Sequence, residues 1–175
     1  MLDCLRREGA PSTFFVIADR ARQAPELIER MRAEGHEVGF HCVEHVRHTQ
    51  VGESALRRDT EQGLRTLAEL DVHARWWRPP WGVITAATRR VAADHDLRLI
   101  GWNLDPEDWA GGTAAAMHGR VAGLLAPSTV MLLHDGVGPG ARRSDCRRTI
   151  ELIPRLVATM RSRGLCPAPL SGIDA

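Results

Sequence analysis

Short apolar runs alternate with helix-period segments from one end of this chain to the other, and that alternation limits the fold more than any other feature. Thr13-Phe14-Phe15-Val16-Ile17 is rich in aromatic and β-branched types and reads as a buried strand. Further strands are expected at Glu37 to His41, Arg75 to Arg78, Leu97 to Trp102 and Thr129 to Leu133, with a last short one at Leu165 to Leu170. Helices are expected over residues 25–34, 53–70, 85–93, 113–125 and 146–163; Pro25 suits the first turn of the earliest of these and Gly35 its end. Strands separated by helices on short connections predict a parallel α/β sheet, open or closed into a barrel. No linker, repeat or low-complexity tract breaks the pattern, so residues 1–175 read as one domain.

The chain opens on a short helix, residues 2–9, and not on a strand. In a barrel of strand–helix units, that order leaves a gap where a strand should come first. Either the domain starts upstream of Met1 or the helix is an N-terminal addition.

A net charge of +1 gives no broad field to attract nucleic acid or an anionic membrane. All 23 basic residues are Arg, which reads as coding bias; Arg142, Arg143, Arg147 and Arg148 read as a solvated face. Cys4, Cys42, Cys146 and Cys166 form no C-x-x-C pair, which argues against a zinc knuckle and leaves pairing of Cys146 with Cys166 open. No run approaches the ~20 apolar residues of a membrane span, and the first residues lack a signal-peptide pattern. As written, the chain is expected to stay in the cytoplasm. Composition leaves the oligomeric state undecided.

The chemistry gathers at the ends of expected strands: His41, then Arg78, then Asp105 and Asp108, then His134 and Asp135. Strand C-termini of α/β folds converge on one face, where ligands bind. In His41-Cys42-Val43-Glu44-His45, two imidazoles four apart can share a metal. The same H-x-x-E-H string matches an inverted zinc-peptidase signature with Glu44 as base, but that chemistry needs a helix and Val38-Gly39-Phe40 is strand-like. His36 reads as a turn residue and His48 as loop surface. Arg78-Pro79-Pro80-Trp81-Gly82 is a rigid turn that can hold Arg78 against a carboxylate and aim a backbone N–H at an oxyanion. Asp105, Glu107 and Asp108 would be costly to bury unpaired, so one of them is expected to meet Arg78 or a protonated His. His134 closes a buried strand and suits a general acid.

In this order the four segments resemble the polysaccharide deacetylase family, the NodB homology domain or carbohydrate esterase family 4. His41 and His45 match its H-x-x-x-H metal pair, Arg78 to Gly82 its R-P-P-Y-G turn with Trp81 for Tyr, Asp105 to Trp109 its D-x-x-D-W segment, and Leu132 and His134 its L-x-H segment. The resemblance implies an incomplete (β/α) barrel that removes N- or O-acetyl groups from a carbohydrate with a divalent metal, often zinc. It implies that His41 and His45 bind the metal and that His134 protonates the leaving group. Asp108 would tune His134 or hold Arg78, Trp81 would offer its N–H to the oxyanion, and Leu132 and Trp109 would wall the acetyl pocket. Many relatives work at the cell envelope.

The family's first motif, T-F-D-D, which supplies the general base and a third metal ligand, is missing together with its strand; neither Asp3 nor Asp19 replaces it. Cys42 stands where Ser or Thr is usual, as a possible stray thiolate ligand, and Val46 where Pro is usual. A shortened, poorly active deacetylase is therefore expected. The alternatives are a non-catalytic carbohydrate-binding protein and the zinc peptidase.

Overall fold

The computed structural model describes residues 1–172. Helix α1 (Leu2–Glu8) opens the chain, has no side-chain cap at its start, and ends where Gly9 turns left-handed at φ 56°. The chain then divides into two compact units, one of residues 13–101 and one of residues 1–12 with the chain from Trp102 onward.

Residues 13–101 hold the sheet. Strand β1 (Thr13–Ile17) runs straight into α2 (Ala18–Gln23), followed by α3 (Pro25–Ala33) and β2 (Glu37–Cys42). Helix α4 (Glu53–Ala68), β3 (Trp76–Trp77), α5 (Ala86–Asp94) and β4 (Arg98–Leu99) complete the unit. The four strands pair in parallel in the order β1-β2-β3-β4, the α/β arrangement that the alternation predicts. Thr13 opposite Glu37 sets the register and donates its hydroxyl to the Glu37 carboxylate at 2.9 Å. Phe40 and Trp77, both fully buried, pack ring to ring at 5.7 Å in the core. Helix α5 starts on a capping box: Thr85 accepts from the Thr88 N–H and Thr88 returns the bond.

The other unit contains α6 (Ala114–Val121), capped by the Thr113 side chain, a 3-10 turn at Ala122–Leu124, and α7 (Arg147–Ser162). Leu104, Met117, Val121, Leu152 and Leu156 form its core. Helix α1 buries Leu2, Cys4 and Leu5 in this unit, and its last carbonyl, on Glu8, accepts from Arg161 of α7 at 2.6 Å.

Several expected strands are shorter or absent. Pro79 and Pro80 lack the N–H that would extend β3. Residues 129–133 form only a parallel bridge, Leu104 to Met131, because Pro106 in the partner segment has no N–H to carry the ladder on. The strand expected at Leu165 to Leu170 does not form; Pro167 and Pro169 cannot donate to a ladder, and a 3-10 turn follows at Leu170–Gly172. Helix α2 was not expected, having no capping side chain to announce it. No described helix is long and apolar enough to cross a membrane.

Candidate active site

The histidine pair is built by β2 and the turn after it. The His41 Nδ1–H donates to the Arg78 carbonyl, which leaves Nε2 with its lone pair. The Trp77 indole N–H holds the His41 carbonyl at 3.0 Å. Beyond Cys42 the chain leaves the strand. The Asp59 carboxylate, on α4, accepts from the Val43 N–H at 3.1 Å and the Glu44 N–H at 2.8 Å. That clasp folds the turn so that the His41 and His45 rings come within 5.0 Å. Burial pushes the Asp59 carboxyl up, while the two N–H groups pull the other way. Since the motif lies on a strand end and a non-helical turn, it lacks the geometry of the peptidase reading.

The neighbours correct two expectations and extend a third. Cys42 is buried, and burial, with Asp59 nearby, pushes its thiol far up, so it is no stray thiolate. His48 is not surface: it is buried with Nδ1 2.9 Å from the Thr88 hydroxyl and its ring 5.4 Å from Trp77. His36 does follow the turn at Gly35, and it is buried there, edge-on to Phe14.

The proline turn places Trp81 at φ 53°, a left-handed conformation costly for a bulky residue. Its ring meets the His45 ring at 4.3 Å, and the Arg47 guanidinium lies 4.7 Å from it. The Arg78 guanidinium stacks over Phe15 at 4.3 Å; burial lowers its pKa to about 10, which leaves it charged at neutral pH.

Asp108 and His134 lie in the other unit. Asp105 accepts from the Glu107 N–H at 2.7 Å, a side-chain turn that swings the chain into the 3-10 turn Asp108–Ala110. Of the three acids, only Asp108 is buried, at 1% exposure. Its Oδ1 meets His134 Nδ1 at 2.7 Å, and its Oδ2 accepts from the His134 backbone N–H at 2.9 Å and the Thr149 hydroxyl at 2.8 Å. Burial works against the carboxylate, but the His134 bonds and the Thr149 hydroxyl outweigh it and hold Asp108 below the usual carboxylate range. The imidazole is thereby oriented with Nδ1 towards Asp108. Met131 and Leu133 pack on the unit's core, so the alternation of an extended chain sets Leu132 and His134 on the opposite side. Leu132 is buried, and Trp109 is half-buried with its carbonyl accepting from the Arg142 N–H at 2.8 Å.

The cation beside Asp108 is Arg143, at 3.2 Å, and sequence reasoning missed it, as it missed Thr149 and Asp59. Thr149 and Asp59 left a trace. Thr149 shares the buried face of α7 with Leu152, Ile153 and Leu156, and Asp59 lies one turn from Leu56 and Gly63 on α4. Arg143 left none, being one of four similar arginines in one stretch.

The family model for polysaccharide deacetylase matches residues 1–100. The chain belongs to the polysaccharide deacetylase family. A chitooligosaccharide deacetylase of Bradyrhizobium sp. (strain ANU 289) is 32% identical over 97% of this chain and 81% of its own length. A peptidoglycan-N-acetylglucosamine deacetylase of Bacillus cereus is 28% identical over 94% of this chain and 75% of its own. Among solved structures, a family 4 carbohydrate esterase from Streptomyces lividans in complex with acetate superposes with a TM-score of 0.83 at 28% identity, covering 94% of this chain and 81% of that one. The fold is thus that of the NodB-type deacetylases.

The family is generally divalent-metal dependent. The candidate donors here are the imidazoles of His41 and His45, and no group of three or more His, Cys, Asp or Glu side chains among the described residues could hold an ion. The pair fits two positions of a metal site and falls short of the complete tetrahedral set.

Proposed function

We propose that this domain hydrolyses N-acetyl groups on glucosamine-containing glycans, the class of chitooligosaccharide and peptidoglycan. The observation that carries the reading is the Asp108–His134 pair: a buried carboxylate holding an imidazole at 2.7 Å is suited to delivering a proton from Nε2 to a leaving amine. Asp108 keeps the tautomer and balances the charge of the imidazolium. His41 and His45 serve as metal ligands, with the Arg78 carbonyl setting the His41 tautomer. Trp81 offers its backbone N–H to the developing oxyanion and its ring packs on His45, while Leu132 and Trp109 wall the acetyl methyl. The Arg78 guanidinium is assigned to holding a carboxylate.

The test is acetate release from N-acetylated chitooligosaccharides and peptidoglycan fragments with added zinc. The native chain is expected to release acetate slowly, and His134→Gln to lower kcat by about 100-fold or more. Equal turnover by both proteins would remove His134 from the reaction. The two-imidazole donor set favours a second reading, a non-catalytic carbohydrate-binding protein. Tight glycan binding without any acetate would support that one.

A further inference from the structure

We propose that Arg143 is the positioning residue of the Asp108–His134 pair, a clamp that holds the carboxylate ionised and the imidazole in one tautomer. One guanidinium reaches both partners. Nη1 donates to Asp108 Oδ2 at 3.2 Å and to the Thr149 hydroxyl, and Nη2 donates to the carbonyls of His134 and Gly136, each at 3.0 Å. Its side chain is 6% exposed. A planar fork can span these acceptors; an ammonium at the same place could not reach them all.

The loop that delivers Arg143 is pressed onto the turn that delivers Asp108. The Arg142 N–H bonds the Trp109 carbonyl at 2.8 Å, and Gly111, at φ 86°, lies so close that an added Cβ would sit 2.9 Å from the Arg142 carbonyl oxygen. The neighbouring arginines differ: Arg147 pairs with Asp145 and Arg148 with Glu151 at the surface, as solvated charges do.

Electrostatics gives the clamp its purpose. A carboxylate at 1% exposure with no cation beside it favours its protonated form. A protonated Asp108 would donate instead of accept, and the Nδ1–H tautomer of His134 would lose its partner. Arg143, together with the His134 bonds and the Thr149 hydroxyl, removes that alternative. That His134 then gives a proton to a leaving group rests on the proposed function; the clamp itself does not.

Long-range nitrogen–proton NMR of the histidine rings tests this without any turnover. It is run on the native 175-residue chain over about pH 7 to 9, where free imidazoles are mostly neutral and a buried carboxyl stripped of its cation takes up a proton towards the lower end. His134→Gln identifies the His134 signals by their loss. The native His134 is expected in a single Nδ1–H tautomer, and Arg143→Gln in a tautomer mixture, with Arg143→Lys between them. A folded Arg143→Gln that keeps the single tautomer would overturn the proposal, as would a native ring without it. If Arg143→Gln does not fold, Arg143→Lys decides, since it keeps the charge but loses the planar fork: a mixture supports the clamp, and a tautomer as single as the native one overturns it. In turnover, Arg143→Gln is expected to lower kcat by about 10- to 100-fold at unchanged KM. If the tautomers behave as expected but the native chain releases no acetate, the deacetylase reading fails and the clamp stands.

Discussion

His48 is a buried imidazole with a neutral partner, the Thr88 hydroxyl, and burial lowers its pKa to about 4. The unfolded chain, with an ordinary value near 6.5, binds the proton more readily. Stability from this residue is therefore complete above about pH 6.5 and is lost as pH falls towards 4. The loss amounts to about 2 kcal/mol at pH 5. Urea unfolding at pH 7.5 and pH 5 should show it, and His48→Gln should flatten the dependence by about that amount. An identical pH dependence in both proteins would show that His48 is not held neutral by the fold. The residue also marks a limit of sequence reading: a histidine among Arg47, Thr49 and Gln50 has polar neighbours in the chain, and only the packing of the turn onto Trp77 buries it. Arg143 was hidden among similar arginines, while the approach of His41 to His45 and of Asp108 to His134 could be anticipated from strand ends and motif spacing.

At the scale of elements, α4 is pressed onto β2 through a glycine. A Cβ on Gly63 would lie 2.3 Å from Phe40 Cε2 and 2.8 Å from Cζ, and Phe40 is fully buried against Trp77 with no room to yield. Gly63→Ala gains roughly 1 kcal/mol of helix propensity but overpacks the core by about 1–3 kcal/mol. A net loss of up to about 2 kcal/mol is expected, read as a lower Tm. Gly119→Ala in α6 is the control: nothing lies within 4 Å of its added Cβ, so it should be neutral or stabilising by up to about 1 kcal/mol. If both alanines act alike, the close approach of α4 is not what Gly63 is for. Apolar periodicity made α4, α5 and α7 legible, since each buries one face over many residues. Strands of two residues such as β3 and β4 offer no period to read, and their limits come from where the neighbouring chain stops offering partners.

At the scale of the whole molecule, the residues with proposed roles fall in different units. Residues 13–101 hold His41 and His45, and the other unit holds Asp108, His134 and Arg143. Motif order made the family legible across both, because four ordered segments do not arise from composition. The division of labour predicts that substitutions separate by unit. Zinc titration of the 175-residue chain by calorimetry should find weak binding, since two imidazoles leave a tetrahedral ion half-held by protein. His41→Ala or His45→Ala should weaken that binding by at least about 10-fold. Asp59→Asn, which loses one of the two acceptors that fold the turn, should weaken it less. His134→Gln should leave zinc affinity within about twofold of native and act on turnover alone. If His134→Gln weakened zinc binding as much as His45→Ala, His134 would belong among the ligands and its role as proton donor would have to be given up. If His45→Ala left the affinity unchanged, zinc would lie elsewhere, and the 5.0 Å approach of the two rings would be packing between β2 and its turn.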